Sequence, residues 1–184
     1  MDTRTGQLST DTVTLRELQS QDAHPLYTLL TTESVARFIA PPPKTVDGFG
    51  RFIAWTGRQR EAGRLYCFGI VPKDSDTAVG LIQIRPQIEL GTAEWGFALS
   101  EKFWGKGLFV ASAELVMRFV FETAGIHRLE ARTAVGNERG NGVLKKLGAT
   151  REALLRRAMH KNGEYLDQAL WSILADEWNS RRSN

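Results

Sequence analysis

A single cysteine, Cys67, excludes an internal disulfide in this chain of 184 residues. It sits in the apolar run Leu65-Tyr66-Cys67-Phe68, which predicts a buried, unreactive thiol. Histidine is also scarce. His24, His127 and His160 show no metal-ligand spacing with one another or with Cys67, so no metal is expected. No stretch approaches the ~20 apolar residues of a membrane-spanning helix. The opening segment, Met1 to Asp11, lacks the apolar core of a secretory signal, so a cytoplasmic location is the expectation. No basic run with interleaved aromatics appears and the net charge is only +3, which argues against nucleic acid as a partner. There is no internal repeat and no linker. The length fits one domain over residues 1–184, with residues 1–10 expected to form a flexible tail.

What the chain does have is Glu101-Lys102-Phe103-Trp104-Gly105-Lys106-Gly107, followed at once by a helix-length apolar run from Leu108 to Phe121. Two glycines one residue apart at the start of a helix let backbone N–H groups converge on one anion, over the positive end of the helix dipole. Lys102 and Lys106 add charge beside that spot. A nucleoside-triphosphate loop needs Lys-Ser or Lys-Thr at its end, and Leu108 stands there instead. A dinucleotide loop needs a third glycine three residues after the second, and that position is Val110. A plain strand-to-helix turn remains the alternative.

Around this loop, alternation predicts a strand over 12–18, and a helix follows over 22–31. Ala40-Pro41-Pro42-Pro43-Lys44 marks an extended loop, and Thr45 caps a helix that Gly63 ends. Strands are expected over 64–71, 78–85 and 92–99, with Gly96 marking a bulge or a close backbone approach. A helix over 105–121 then leads to a strand over 128–135, which should run parallel to 92–99. A short helix over 137–147 precedes two strands joined by an Asn162-Gly163 hairpin turn. The fold class is α+β: a mixed, mainly antiparallel central sheet with helices on both faces.

Further motifs follow in order: His127-Arg128-Leu129-Glu130-Ala131, Asn137-Glu138-Arg139, Val143-Leu144-Lys145-Lys146-Leu147-Gly148, Asn162-Gly163-Glu164 with Asp167, and Glu177-Trp178. With the glycine loop, which fits a coenzyme A pyrophosphate pattern of Gln/Arg-x-x-Gly-x-Gly/Ala apart from Lys102, this series resembles the GNAT N-acetyltransferase superfamily. The resembled branch is the RimJ/RimL-type ribosomal-protein-alanine N-acetyltransferases. The resemblance runs from about Leu15 to Trp178 and is strongest from Glu94 onward. It implies that strands 92–99 and 128–135 splay apart to admit the cofactor arm. It implies acetyl-CoA as co-substrate, held by Phe97, Ala98, Leu99, Lys102, Trp104, Gly105, Lys106, Gly107, Leu108 and Asn137. It also implies a primary amine as acceptor, either a peptide N-terminus or a small molecule, with no metal, and a homodimer through the C-terminal strands.

Acetyl transfer needs a proton acceptor for the amine, and the resemblance puts Glu94 in that role, with Trp95 beside it to exclude water. The competing reading is a Glu paired with an Arg on the next strand. Asn137 serves equally as a helix cap. Asp167 reads as structural, and His127 as a surface residue. The chain departs from the branch at Gly140, where a serine is usual, and at Leu144, about where other members carry a tyrosine. Those departures leave the thiolate without a side-chain acid. They keep open a second class of function, a protein that binds acetyl-CoA as a sensor or structural ligand with little turnover.

Overall fold

A computed structural model describes residues 7–182. In chain order the elements are β1 (Gln7–Ser9), β2 (Val13–Glu17), α1 (Ala23–Leu30), α2 (Glu33–Ala36), α3 (Val46–Glu61), β3 (Tyr66–Pro72), β4 (Gly80–Gln87) and β5 (Thr92–Leu99). Then come α4 (Leu108–Arg118), β6 (Arg128–Ala134), α5 (Glu138–Lys146), β7 (Thr150–Lys161), β8 (Glu164–Leu174) and α6 (Ala175–Arg182). The strands form one sheet in the order β1-β2-β3-β4-β5-β6-β8-β7. Every neighbouring pair is antiparallel except β5–β6.

Strand alternation sorts the core into two layers. Val13, Leu15, Phe68, Ile70, Ile82, Trp95 and Leu129 point to the face covered by α4, where Met117 and Phe119 meet them. Cys67, Val71, Leu81 and Ala98 point the other way, under Leu26, Leu30, Phe49 and Ile53 of α1 and α3. That second cover stops short. Over β5 and β6 the same face carries Glu94, Gly96, Glu130 and Arg132, none of them buried. The helix α3 begins as its sequence predicts, with Thr45 Oγ1 accepting from Gly48 N at 3.0 Å, and Gly63 follows its end at φ +66°.

The parallel pair is short. Thr92 to Trp95 lie opposite Arg128 to Ala131, and there the pairing ends. β5 keeps its partner β4 through to Gly80–Leu99, and β6 keeps β8 through to Ala134–Gln168. The two central strands therefore diverge while each remains hydrogen-bonded on its outer side. This is the splay that the resemblance implied.

Several expectations need correction. Gln7–Ser9 pairs with β2, so the expected tail is a strand from residue 7; residues 1–6 lie outside the described residues. Helix α4 starts at Leu108, because Gly105 and Gly107 sit at φ +71° and +78°, outside helical geometry. It ends in a π turn, Phe119–Thr123. The short α2 was not anticipated. Gly96 marks neither a bulge nor a close approach: its register with β4 is unbroken, and a Cβ there would meet nothing within 4 Å. The irregularities lie instead in β7, between Arg151 and Ala153 and between Leu155 and Met159. There Asp167 Oδ1 accepts from Arg157 N at 2.7 Å, holding Arg157 at φ +52°. Asp167 thus has the structural role expected of it.

One buried charge ties β2 to the β3–β4 connection. Asp22 is fully buried and accepts from Arg16 Nη1 and the N–H of Gln19, both at 2.7 Å, and from Ala78 N at 3.0 Å. Burial pushes its pKa up, but the Arg16 guanidinium and the two N–H donors outweigh that and hold it below the usual value. With a depressed folded-state pKa, the stabilisation is complete above the unfolded value of about 3.9 and is lost as the pH falls through the folded value. Asp22→Asn should cost about 3 kcal/mol at pH 7. It should also flatten the fall in melting temperature below about pH 4, measured by thermal melts across pH. An unchanged acid limb would show that another group dominates it.

Candidate functional site

At the divergence of β5 and β6 lies a pocket of about 700 Å³. Phe97, Ala98 and Leu99 of β5 form one side. Phe103, Trp104, Gly105 and Gly107 of the loop, with Phe109 and Val110 of α4, form the end. Gly136, Asn137, Glu138, Arg139, Gly140, Gly142, Val143 and Lys146 line the opposite side, and Ser34, Val35, Arg37, Phe38 and Ile39 complete it. Lining residues come from both faces of the sheet, so the pocket passes through the gap.

The loop is held from below. Trp104 Nε1 donates to Leu99 O at 2.9 Å, and Phe103 N and Trp104 N donate to Ser100 O and Glu101 O at 3.0 and 3.1 Å. Beyond Trp104 the backbone stops pairing. The first backbone bond of α4 runs from Ala111 N to Gly107 O, so the N–H groups from Gly105 to Val110 have no acceptor among the described residues. A run of unpaired N–H groups on an exposed turn, at the start of a helix of 11 residues, has the electrostatics of an anion site.

The sequence-predicted residues divide. Phe97, Ala98, Leu99, Trp104, Gly105, Gly107 and Asn137 all line the pocket. Leu108 does not: its side chain is 8% exposed within the core, leaving only its N–H to face the loop. Lys102 and Lys106 are exposed beside the loop without lining the pocket, and Lys106 Nζ rests over the Phe103 ring. Glu94 stands apart. It shares a sheet face with Ala98 but is separated from it by Gly96, and it lies 3.9 Å from Arg132 Nε. Trp95 points to the opposite face, against Phe97 and Phe109, so it does not shield Glu94 as expected. His127 is exposed, and no metal-binding cluster occurs among the described residues. Cys67 is buried as expected, which pushes its thiol pKa up to about 12 and disfavours the reactive thiolate.

Sequence reading missed four features. The Arg139 guanidinium lies 3.7 Å from the Trp104 ring centroid, a cation–π contact joining α5 to the loop. Asn141 fastens the β6–α5 turn: its Nδ2 donates to Ala134 O and Asn137 O, and its Oδ1 accepts from Trp171 Nε1 at 2.9 Å. Lys161, at the β7–β8 hairpin tip, donates to Ala36 O and Ile39 O in the pocket wall, and burial lowers its pKa. Ser34 Oγ donates to Glu101 Oε2, anchoring the other end of that wall. The pairs Arg139–Trp104, Asn141–Trp171, Lys161–Ala36 and Ser34–Glu101 are distant in sequence and carry no local signature.

Asn137 caps α5, its Oδ1 accepting from Gly140 N at 3.0 Å. A Cβ on Gly140 would come within 2.5 Å of Asn137 Nδ2 and 3.0 Å of Thr133 Oγ1. Leu144 is 1% exposed and belongs to the core. A side chain at 140 therefore competes with the cap. In the native chain, Gly140→Ala should change stability little: the ~1 kcal/mol gained in helix propensity is offset by a weakened cap. In an Asn137→Ala background the same substitution should stabilise by up to ~1 kcal/mol. Urea denaturation of the four proteins measures this, and equal effects in both backgrounds would refute the clash.

Comparison with known proteins places these features. The family model described as "Acetyltransferase (GNAT) domain" matches residues 12–150. The chain is 23% identical over 172 residues to the uncharacterized N-acetyltransferase YnaD of Bacillus subtilis, covering 94% of this chain and 99% of that one. It is 23% identical over 122 residues to the [ribosomal protein uS5]-alanine N-acetyltransferase of Escherichia coli, covering 65% and 63% of the two chains. The solved structure of Mycobacterium smegmatis RimJ in complex with CoA-disulfide shares the fold, with a TM-score of 0.82 and 22% identity over 90% of this chain and 83% of that one. With its splayed parallel pair and a family match over most of its length, the chain belongs to the GNAT acetyltransferase family.

Proposed function

We propose that this protein transfers the acetyl group of acetyl-CoA directly to a primary amine within a ternary complex. The observation that carries the reading is the pocket through the sheet, with unpaired N–H groups at one end. The pyrophosphate would sit on the N–H groups of 105–110, and Lys102 and Lys106 would offset its charge. The pantetheine arm would run along the freed edge of β5 at Phe97–Leu99, with Asn137 across from it. Acetyl-CoA brings the thioester. The chain's part is to hold it beside the amine, which converts a bimolecular encounter into a positioned one.

The acceptor would approach from the face that α1 and α3 leave uncovered. There Glu94 would take the amine proton, directly or through a water, once the acceptor has displaced its loose contact with Arg132. A peptide N-terminus is the favoured acceptor, because the relative named for ribosomal protein uS5 acts on an alanine. One observation favours a second reading. Glu94 lies outside the pocket and faces an arginine, as it would in a protein that binds acetyl-CoA with little turnover.

A thiol-release screen over peptides with different N-terminal residues, polyamines and aminoglycosides decides between the two readings. Glu94→Gln should lower kcat by ~10²-fold or more and leave acetyl-CoA affinity unchanged. Full activity would remove Glu94 from the mechanism. Gly107→Val forces a β-branched residue into a backbone with φ near +78° and should turn the N–H groups out of register. Calorimetric titration should then show acetyl-CoA binding weakened by about tenfold or more, the loss of one or more charge-assisted hydrogen bonds. Unchanged affinity in a folded variant would sink the loop assignment.

A further inference from the structure

Gly96 is exposed in the middle of the sheet, and a Cβ there would meet nothing within 4 Å, so the sheet is bare at that point. Ala98, the next residue of β5 on the same face, lines the pocket. The bare stretch therefore lies between the pocket and Glu94. Its rim is polar. On β4, Gln83 lies opposite Gly96 and Arg85 opposite Glu94. On β6, Arg132 holds the position that would pair with Gly96 had the ladder continued past Trp95–Ala131. Donors on this rim outnumber acceptors. Arg85 Nη2 donates to Gln83 Oε1 at 3.0 Å, and the Gln83 amide N–H groups have no acceptor among the described residues. Glu94 is the only carboxylate within ion-pair range of Arg132 among the described residues, and 3.9 Å is too long for a hydrogen bond. Arg128, on the same strand and face, is satisfied by contrast: its Nε donates to Glu130 Oε1 at 2.7 Å and its Nη1 to Glu152 Oε1 at 2.9 Å. The Arg132 side chain is 47% exposed, and its neighbour on β8 is Leu170, which offers it nothing.

From this arrangement we infer that Arg132 recognises a carboxylate on the acceptor, and that the preferred acceptor is a peptide N-terminus with Asp or Glu at its first or second position. The inference rests on the proposed transfer of acetyl to an amine, in which the acceptor displaces Arg132 from Glu94. The guanidinium then faces the bare stretch with five N–H donors and no counter-charge. That planar fork suits a carboxylate, which accepts two parallel hydrogen bonds from it. An acceptor that brings its own carboxylate replaces the one loose ion pair by two, its ammonium on Glu94 and its carboxylate on Arg132. A polyamine would leave Arg132 unpaired and set further positive charge beside it and Arg85. An acidic side chain on the first or second residue lies only a few bonds from the amine, and Glu94 and Arg132 are near neighbours, so one short segment reaches both. The missing side chain at Gly96 gives its backbone room to lie on the sheet.

The test is thiol release by the full chain with acetyl-CoA and paired peptides that differ only in Asp against Asn, at the first position and at the second. At one of the two the native protein should favour Asp by about fivefold in kcat/KM, the upper end for an exposed charge pair. Arg132→Gln should bring that ratio near unity, and Arg132→Glu should turn the preference toward Lys at the same position. The ratio is the readout because an effect of Arg132 on Glu94 alone would scale all peptides equally and leave it unchanged. Indifference of the native protein to charge at both positions, turnover confined to polyamines or aminoglycosides, or a ratio that survives both substitutions would overturn the inference while the transfer reading stands. If acetyl-CoA binds and no amine releases thiol, the transfer reading fails and this inference with it.

Discussion

β5 and β6 share backbone hydrogen bonds only from Thr92–Arg128 to Trp95–Ala131, and everything functional in the structure depends on where that ladder stops. A parallel pair in a sheet centre would ordinarily continue, since leaving strand N–H and C=O groups unpaired is costly. Here each strand is secured on its outer side: β5 by β4 through Leu99, β6 by β8 through Ala134. The inner edges are thereby left open over a few residues without loosening either strand. A ligand with amide groups is a fitting partner for such an edge, because it restores the pairing that the sheet gives up.

The elements around the opening keep it from closing. Asn141 ties the end of β6 to α5 and to Trp171, so α5 cannot slide into the gap. Trp104 is anchored to Leu99 and stacked under Arg139, so the loop and α5 are spaced by an aromatic ring. The glycine loop contributes no side chain to this frame. Its role is to leave N–H groups unpaired, at a helix start where partial positive charge accumulates.

Much of this was legible in the sequence, and the boundary follows the range of the forces involved. Alternation located β5 to the residue, and Asn162-Gly163 located the last hairpin, with both residues at positive φ. The Thr45 and Asn137 caps were readable because a cap acts over three residues. The pair Gly105 and Gly107 announced the loop through the positive φ that each adopts. What escaped was contact between distant segments: Arg139 on Trp104, Lys161 on the 36–39 wall, and Thr133 beneath Gly140. Glu94 shows the same limit. Its strand position was evident, but adjacency to Trp95 in sequence places the two on opposite faces, as strand geometry requires. The start of α4 was misplaced because an apolar run cannot show where a left-handed glycine delays the first helical turn.

The hold of Lys161 on Ala36 and Ile39 makes the pocket wall a joint product of two remote chain segments. The wall's position is therefore set by the length and twist of the β7–β8 hairpin as much as by its own sequence. The bulges in β7 lie within that hairpin, away from the glycine loop. Among descendants of one such fold, insertion or loss of a residue in the hairpin would reshape the wall and leave the glycine loop intact. Divergence in what these proteins accept should accordingly track hairpin length more closely than changes in the residues lining the pocket.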